Sequence, residues 1–312
     1  MKRTPRIVAL LVSMLVSAMP AMATDRAIWT WEAESYALVQ DPMAARQAMD
    51  LARQKHITSF YLYADAFRDR NLIVNRSEVY RQLIRRMHGA GLRVFALLGS
   101  ADLHSEVYVL PEQRDQALTM FQRVLDYNAS SAFEERFDGV NLDIEPYILD
   151  EWDRNKLGLL GQYLDLGQAL MDLRRASGQS IQVGPAIPFW FARIQVQWHG
   201  VSASVTEHAL ALYDYAVLMD YRNHAEGTDG IINHAIDTME IAGRLGKQIV
   251  IGVEVGSGEA EKVSFQHLTE RDLERELALT ERAFGNRDAF AGFAIHHYRA
   301  YREWLNRQGT AR

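Results

Sequence analysis

From Thr24 onward the chain alternates short apolar runs with longer amphipathic stretches, eight times over. The runs are Ile28–Trp31, Ile57–Ala64, Arg93–Leu98, Gly139–Glu145, Ile181–Ile187, Tyr215–Tyr221, Gln248–Val255 and Phe290–Tyr298. Each has the length of a buried strand. Between them, Pro42–His56, Ser77–Ala90, Pro111–Asn128, Arg154–Ser177, Gly230–Leu245 and Thr269–Phe284 carry the helical pattern, which is weaker around Val201–Leu212. Pro42 and Pro111 stand at first helical positions, and Gly89, Gly91 and Gly178 follow helix ends. Eight strand–helix units in 289 residues give roughly 36 residues each, which fits a single parallel (β/α)8 barrel. An open doubly wound sheet follows instead if one run fails to be a strand. Its nucleotide-binding forms lack support, since neither G-x-G-x-x-G after the first run nor G-x-x-x-x-G-K-[ST] occurs. No linker or low-complexity tract divides residues 24–312, so they are read as one α/β domain.

Residues 1–23 read as a secretory signal peptide. Lys2, Arg3 and Arg6 precede the twelve-residue apolar stretch Ile7–Ala18, and Ala21-Met22-Ala23 forms an A-x-A end. The stretch is too short to span a bilayer comfortably. Export to the periplasm or the medium is expected, with the mature chain starting near Thr24 and no membrane span after removal of the signal. Removing those three bases takes the net charge from −6 to −9. That balance argues against a nucleic-acid groove or an anionic membrane surface. The chain has no Cys, which excludes disulfides, thiol catalysis and thiolate metal sites. Its ten His include no H-x-H and no H-E-x-x-H, and no G-x-S-x-G occurs. Neither metal nor cofactor is expected.

The fourth run carries the densest chemistry. In Phe137-Asp-Gly-Val-Asn-Leu-Asp-Ile-Glu145, strand alternation puts Val140, Leu142 and Ile144 on one face and Asn141, Asp143 and Glu145 on the other. In a barrel the apolar face packs on helices, so the polar trio points inward and rises toward the C-terminal end, with Pro146 ending the strand after Glu145. Acids at strand ends can also cap helices or pair with Arg. Three inward polar groups, however, carry a desolvation cost that a purely structural strand does not need.

This nine-residue run resembles the fourth-strand signature of the chitinase-type family 18 glycoside hydrolases, D-G-x-D-x-D-x-E. Met219-Asp220-Tyr221 is similar to that family's M-x-Y element, and Ala186-Ile187-Pro188 ends the fifth run in the same manner. The resemblance implies that Glu145 protonates the glycosidic oxygen. It further implies that Asp143 orients a 2-acetamido group and stabilises the ring it forms, while Tyr221 bonds the acetamido carbonyl. Substrate-assisted cleavage of this kind departs from the two-carboxylate scheme. Two positions differ from the family pattern: Asn141 replaces an inner Asp, and His296-His297 stand where a pocket-floor Trp is common.

A second inward acid, Glu254, ends the seventh run and is followed by Val255-Gly256. It resembles the nucleophile of glycosidases with acids on strands four and seven. In that reading Glu145 is acid/base, Glu254 attacks the anomeric carbon, and no acetamido group is needed. The acetamido route is favoured because a nine-residue match is more specific than one Glu-x-Gly. Aromatic and polar residues expected at the mouth are Trp29, Trp31, Tyr61, Tyr63, Asp65, Tyr147, Phe189, Trp190, Met219 and His296, with Asn141 beneath. Such a mix suits a polysaccharide or oligosaccharide groove. The expected activity is hydrolysis of O-glycosidic bonds, and the alternative is a carbohydrate-binding barrel without turnover.

Overall fold

A computed structural model describes residues 24–310; residues 1–23, read above as a signal peptide, lie outside the described residues. All eight apolar runs become parallel strands of one closed barrel. They are β1 (Asp25–Thr30), β2 (Ser59–Tyr63), β3 (Arg93–Leu98), β4 (Gly139–Leu142), β5 (Gln182–Pro188), β8 (Tyr215–Met219), β9 (Gln248–Glu254) and β10 (Phe290–His296). Each pairs with the next in that order, and β10 closes onto β1. Two further strands, β6 (Gln195–Trp198) and β7 (Val201–Ser204), form an antiparallel hairpin outside the barrel.

The six expected helices are present as α2 (Pro42–Gln54), α4 (Ser77–Gly89), α5 (Arg114–Ala129), α6 (Trp152–Ser177), α8 (Ile231–Leu245) and α9 (Glu270–Phe284). The weak link is α7 (Val205–Leu212), capped by Ser204, whose Oγ accepts from the Glu207 N–H. The sequence pattern did not reveal α1 (Glu32–Gln40), α3 (Leu72–Asn75) or α10 (Tyr298–Thr310). Among the described residues no helix is long and apolar enough to cross a membrane.

Neighbours in register share a face, so Trp29, Tyr61, Phe95 and Gly139 form one inward row. Ring centroids lie 5.3 Å apart for Trp29–Tyr61, 5.7 Å for Tyr61–Phe95 and 5.8 Å for Phe95–Tyr215. Gly139 makes this row possible, because a Cβ there would stand 2.2 Å from the Phe95 ring. The aromatic rings therefore plug the barrel's interior, and open space is left at its C-terminal end.

Several strands stop sooner than the sequence pattern implies. β4 ends at Leu142 rather than after Glu145, although the Asp143 N–H still donates to the Leu98 carbonyl at 2.7 Å. Its neighbour β3 ends at Leu98, and Gly99 turns away at φ +97°, removing the ladder that would continue β4. A Cβ on Gly99 would stand 2.0 Å from the Asp143 carbonyl oxygen, so this departure needs glycine. β8 likewise ends at Met219 and β10 at His296.

Candidate active site

At the C-terminal end the loops after the strands enclose a cavity of about 400 Å³. Asp143 and Glu145 line it from the segment after β4, Met219 from the end of β8 and Tyr221 just beyond it, Trp31 from between β1 and α1, and His296 from the end of β10. The sequence reading placed all six at this mouth.

Asp143 is half-buried, and its Oδ1 has no hydrogen-bond partner among the described residues. Burial pushes its carboxyl well above the usual carboxylate range, and the neighbouring Glu145 and Glu32 add to the rise. Burial also raises Glu145, against a hydrogen bond from the Tyr147 hydroxyl to Oε1. The pair thus sits where at least one carboxyl keeps a proton above the ordinary range. Burial keeps the Tyr221 phenol protonated and able to donate. Its ring lies 5.5 Å from that of His296.

The Trp31 indole N–H donates to His296 Nε2 at 2.9 Å. That assigns the ring proton to Nδ1, which donates to Glu254 Oε2 at 2.5 Å.

No family model matches the chain. Among solved structures, a mutant GH18 chitinase from Cycas revoluta in complex with (GlcNAc)4 is similar at a TM-score of 0.53 and 11% identity, covering 90% of this chain and 96% of that one. The chitinase from the same plant in complex with allosamidin gives 0.52 at 11% identity, with 90% and 96% covered. A chitinase from Chromobacterium violaceum gives 0.50 at 14% identity, covering 93% and 100%. The fold is that of the chitinase-type barrels. Among curated proteins, exonuclease subunit 1 of Enterobacteria phage T4 is 25% identical over 107 residues, which is 34% of this chain and 31% of the phage protein. A stretch covering about a third of either chain does not carry an activity across.

Within this barrel, other expected site residues lie elsewhere. Glu254 points inward at the end of β9 but stands behind His296 rather than in the cavity wall. It is 5% exposed, its Oε2 accepts from His296, and its Oε1 accepts from the Gly256 N–H. Burial alone would raise its carboxyl; the hydrogen bonds from His296 and from the Gly256 N–H outweigh that and hold it below the usual range.

Asn141 and Trp29 point inward as expected but lie beneath the cavity, fully buried, with the indole N–H donating to Asn141 Oδ1 at 3.0 Å. Asn141 Nδ2 in turn donates to the Gly184 carbonyl at 3.3 Å. The expectation for Tyr61 is corrected: it lines a small cavity at the opposite, N-terminal end of the barrel. Tyr63, the last residue of β2, and Asp65, in the loop after it, are buried instead of lining the mouth. Tyr63 donates its hydroxyl to the Ala66 carbonyl, and Asp65 pairs with Arg123 at 2.7 Å and accepts from Asn71. Tyr147 and Trp190 lie outside the cavity wall in a half-buried aromatic cluster with Trp152; the Tyr147 and Trp190 rings are 5.2 Å apart.

The sequence reading missed Glu32, Ser100, Asp102, Ser105, Glu106 and Arg299, all in the cavity wall. Their signal was positional: they follow the C-terminal ends of β1, β3 and β10, where barrel loops build the mouth. Among the described residues no group of His, Asp or Glu is arranged to hold a metal ion.

Proposed function

We propose that the chain is an exported glycoside hydrolase that cleaves O-glycosidic bonds of an amino-sugar polysaccharide or glycan, with Glu145 as general acid. The observation that carries this reading is the pair of protonation-prone carboxyls, Asp143 and Glu145, in one cavity wall. A general acid must hold its proton at the working pH, and burial supplies that property to Glu145.

In this reading Glu145 gives its proton to the glycosidic oxygen as the bond to the anomeric carbon breaks. The 2-acetamido carbonyl oxygen of the same ring attacks that carbon, and Asp143 stabilises the charge developing on the acetamido nitrogen. Tyr221 donates a hydrogen bond to the acetamido group. Water then opens the cyclic intermediate and returns a proton to Glu145. No cofactor enters these steps. The containment of Glu254 by His296 and Gly256 supports the acetamido route over a carboxylate nucleophile. The likeness of the fold to chitinases supports an amino-sugar substrate, and the signal-like residues 1–23 support action outside the cytoplasm.

The test is release of reducing ends from acetamido-sugar and neutral-sugar polymers by the purified protein and two variants. The expected result is cleavage of acetamido polymers alone, crippled by Asp143→Ala and retained by Glu254→Ala. Cleavage of a neutral polymer that Glu254→Ala abolishes would replace this mechanism with a retaining carboxylate pair. Binding without any new reducing ends would leave a carbohydrate-binding barrel.

A further inference from the structure

The cavity is more acidic than acid–base chemistry requires. Besides Asp143 and Glu145 its wall carries Glu32 from the start of α1, and Asp102 and Glu106 from the loop after β3. Glu32 accepts from the Ser100 hydroxyl, and that same hydroxyl accepts from the Asp102 N–H at 3.1 Å, so neutral groups tie the first two together. Glu106 has a contact from His104 at 3.3 Å, on a side chain 80% exposed. Among the described residues no ion pair involves Glu32, Asp102, Asp143 or Glu145.

The basic side chains of the wall, His296, His297 and Arg299, are turned to other partners. His296 is bonded to Glu254, while His297 and Arg299 stand 3.1 and 3.2 Å from Glu34, which lies outside the cavity wall. The cavity therefore presents Glu32 and Asp102 without an ion-pair partner among the described residues, and Glu106 with only the solvent-exposed His104 beside it. The fully buried, unpartnered Oδ1 of Asp143 points to an occupant that supplies hydrogen-bond donors. These carboxylates do not converge as a metal site would, which favours an occupant with spread-out cationic groups.

Resting on the glycosidase reading above, we infer that the substrate is a partly de-N-acetylated amino-sugar polymer. An acetamido ring sits at Asp143 and Tyr221, and rings bearing free ammonium groups sit against Glu32, Asp102 and Glu106. An ammonium group supplies three donors and a charge, which these carboxylates accept. A neutral acetamido group at the same places would leave them desolvated and unpaired. Each solvent-screened ammonium–carboxylate contact contributes about two- to fivefold in binding, so two or three together give roughly tenfold discrimination.

The experiment compares kcat/KM on a soluble, about half-deacetylated glucosamine polymer with kcat/KM on its fully re-acetylated counterpart of matched length. The expected ratio is about ten in favour of the charged polymer at low salt, shrinking as salt screens the contacts. The double variant Asp102→Asn/Glu106→Gln should bring the ratio close to one, and Glu32→Gln should lower it in the same direction. Circular dichroism of each variant checks that the ratio is read on folded protein. A wild-type ratio at or below one, with both polymers cut, overturns the charge preference while the glycosidase reading stands. A ratio of ten that the carboxamide variants leave unchanged also overturns it. Failure to cut either polymer overturns both together.

Discussion

At the N-terminal end of the barrel, charges are matched. Asp25 pairs with Arg93 and accepts from the Ser59 hydroxyl at 3.1 Å, Arg26 grips Glu274 with bonds of 2.8 and 2.9 Å, and Lys55 pairs with Glu270. The cavity there is about 40 Å³, floored by the aromatic rings. At the C-terminal end, in a cavity of about 400 Å³, Asp143, Glu145 and Glu32 line the wall without an ion-pair partner among the described residues. The same eight strands build both ends. Burying an unpaired carboxyl costs free energy that matched pairs avoid, so the mouth holds a chemical potential that the floor does not.

The comparison breaks most readily at Glu145. Glu145→Gln should leave folding intact and lower kcat by about 10²–10⁴, the usual worth of a positioned general acid, as read by turnover of a labelled oligosaccharide. Near-full activity in that variant would make the mouth's acids structural, like those of the floor.

Trp29 joins the two halves, with its ring on Tyr61 below, 5.7 Å from that of His296 above, and its N–H on Asn141. Trp29→Ala should cost about 3–5 kcal/mol in urea denaturation, because a large ring leaves a cavity that β-strands cannot collapse. A loss below 1 kcal/mol would mean the aromatic plug is not what holds the barrel interior.

The pH dependence sharpens the contrast. Glu145 donates only while protonated, so activity should fall as pH rises through its raised pKa, and the residual rate of Glu145→Gln should lack that limb. For Asp143 the folded state binds its proton more tightly than the unfolded chain does. Stability should therefore decline as pH rises from the ordinary carboxylate range, about 4, through the raised folded value. Asp143→Asn should flatten that decline and melt higher than wild type at neutral pH. A variant that melts lower there would show that the buried carboxylate is stabilised after all.

The smallest effect belongs to the floor. Glu274 is 43% exposed, so Glu274→Ala should cost less than about 1 kcal/mol in thermal melts and leave kcat unchanged.

The eight strands were legible because alternation and short apolar runs survive translation into a buried parallel sheet. Helix α1 was not, since it buries Glu34 and Ser35 along with Tyr36, Leu38 and Val39. Those polar groups are satisfied by tertiary partners: the Trp31 N–H for Glu34, and the Thr30 carbonyl and Tyr63 N–H for Ser35. The β6–β7 hairpin was hidden in the same way. Its turn places His199 and Gly200 at φ 49° and 80°, without the Asn-Gly that marks such turns. At the mouth, Asp143, Glu145, Tyr221, Met219, Trp31 and His296 were legible as inward residues at strand ends. Glu32 opens the unforeseen helix α1, and Asp102 and Glu106 follow β3 in a loop where no periodicity marks direction.

By itself the sequence determined the number of strands, their order along the chain, and which side chains face the barrel axis. Those follow from the period-two geometry of a strand and the need of its apolar face for a helix. Only the tertiary structure decided depth. Asn141, Asp143 and Glu145 share a face by alternation, yet Asn141 is buried with its amide on the Trp29 indole while the two acids reach the cavity, because β3 ends and Gly99 turns away beside them. Height along the axis depends on register between strands distant in the chain, and a local pattern has no access to it.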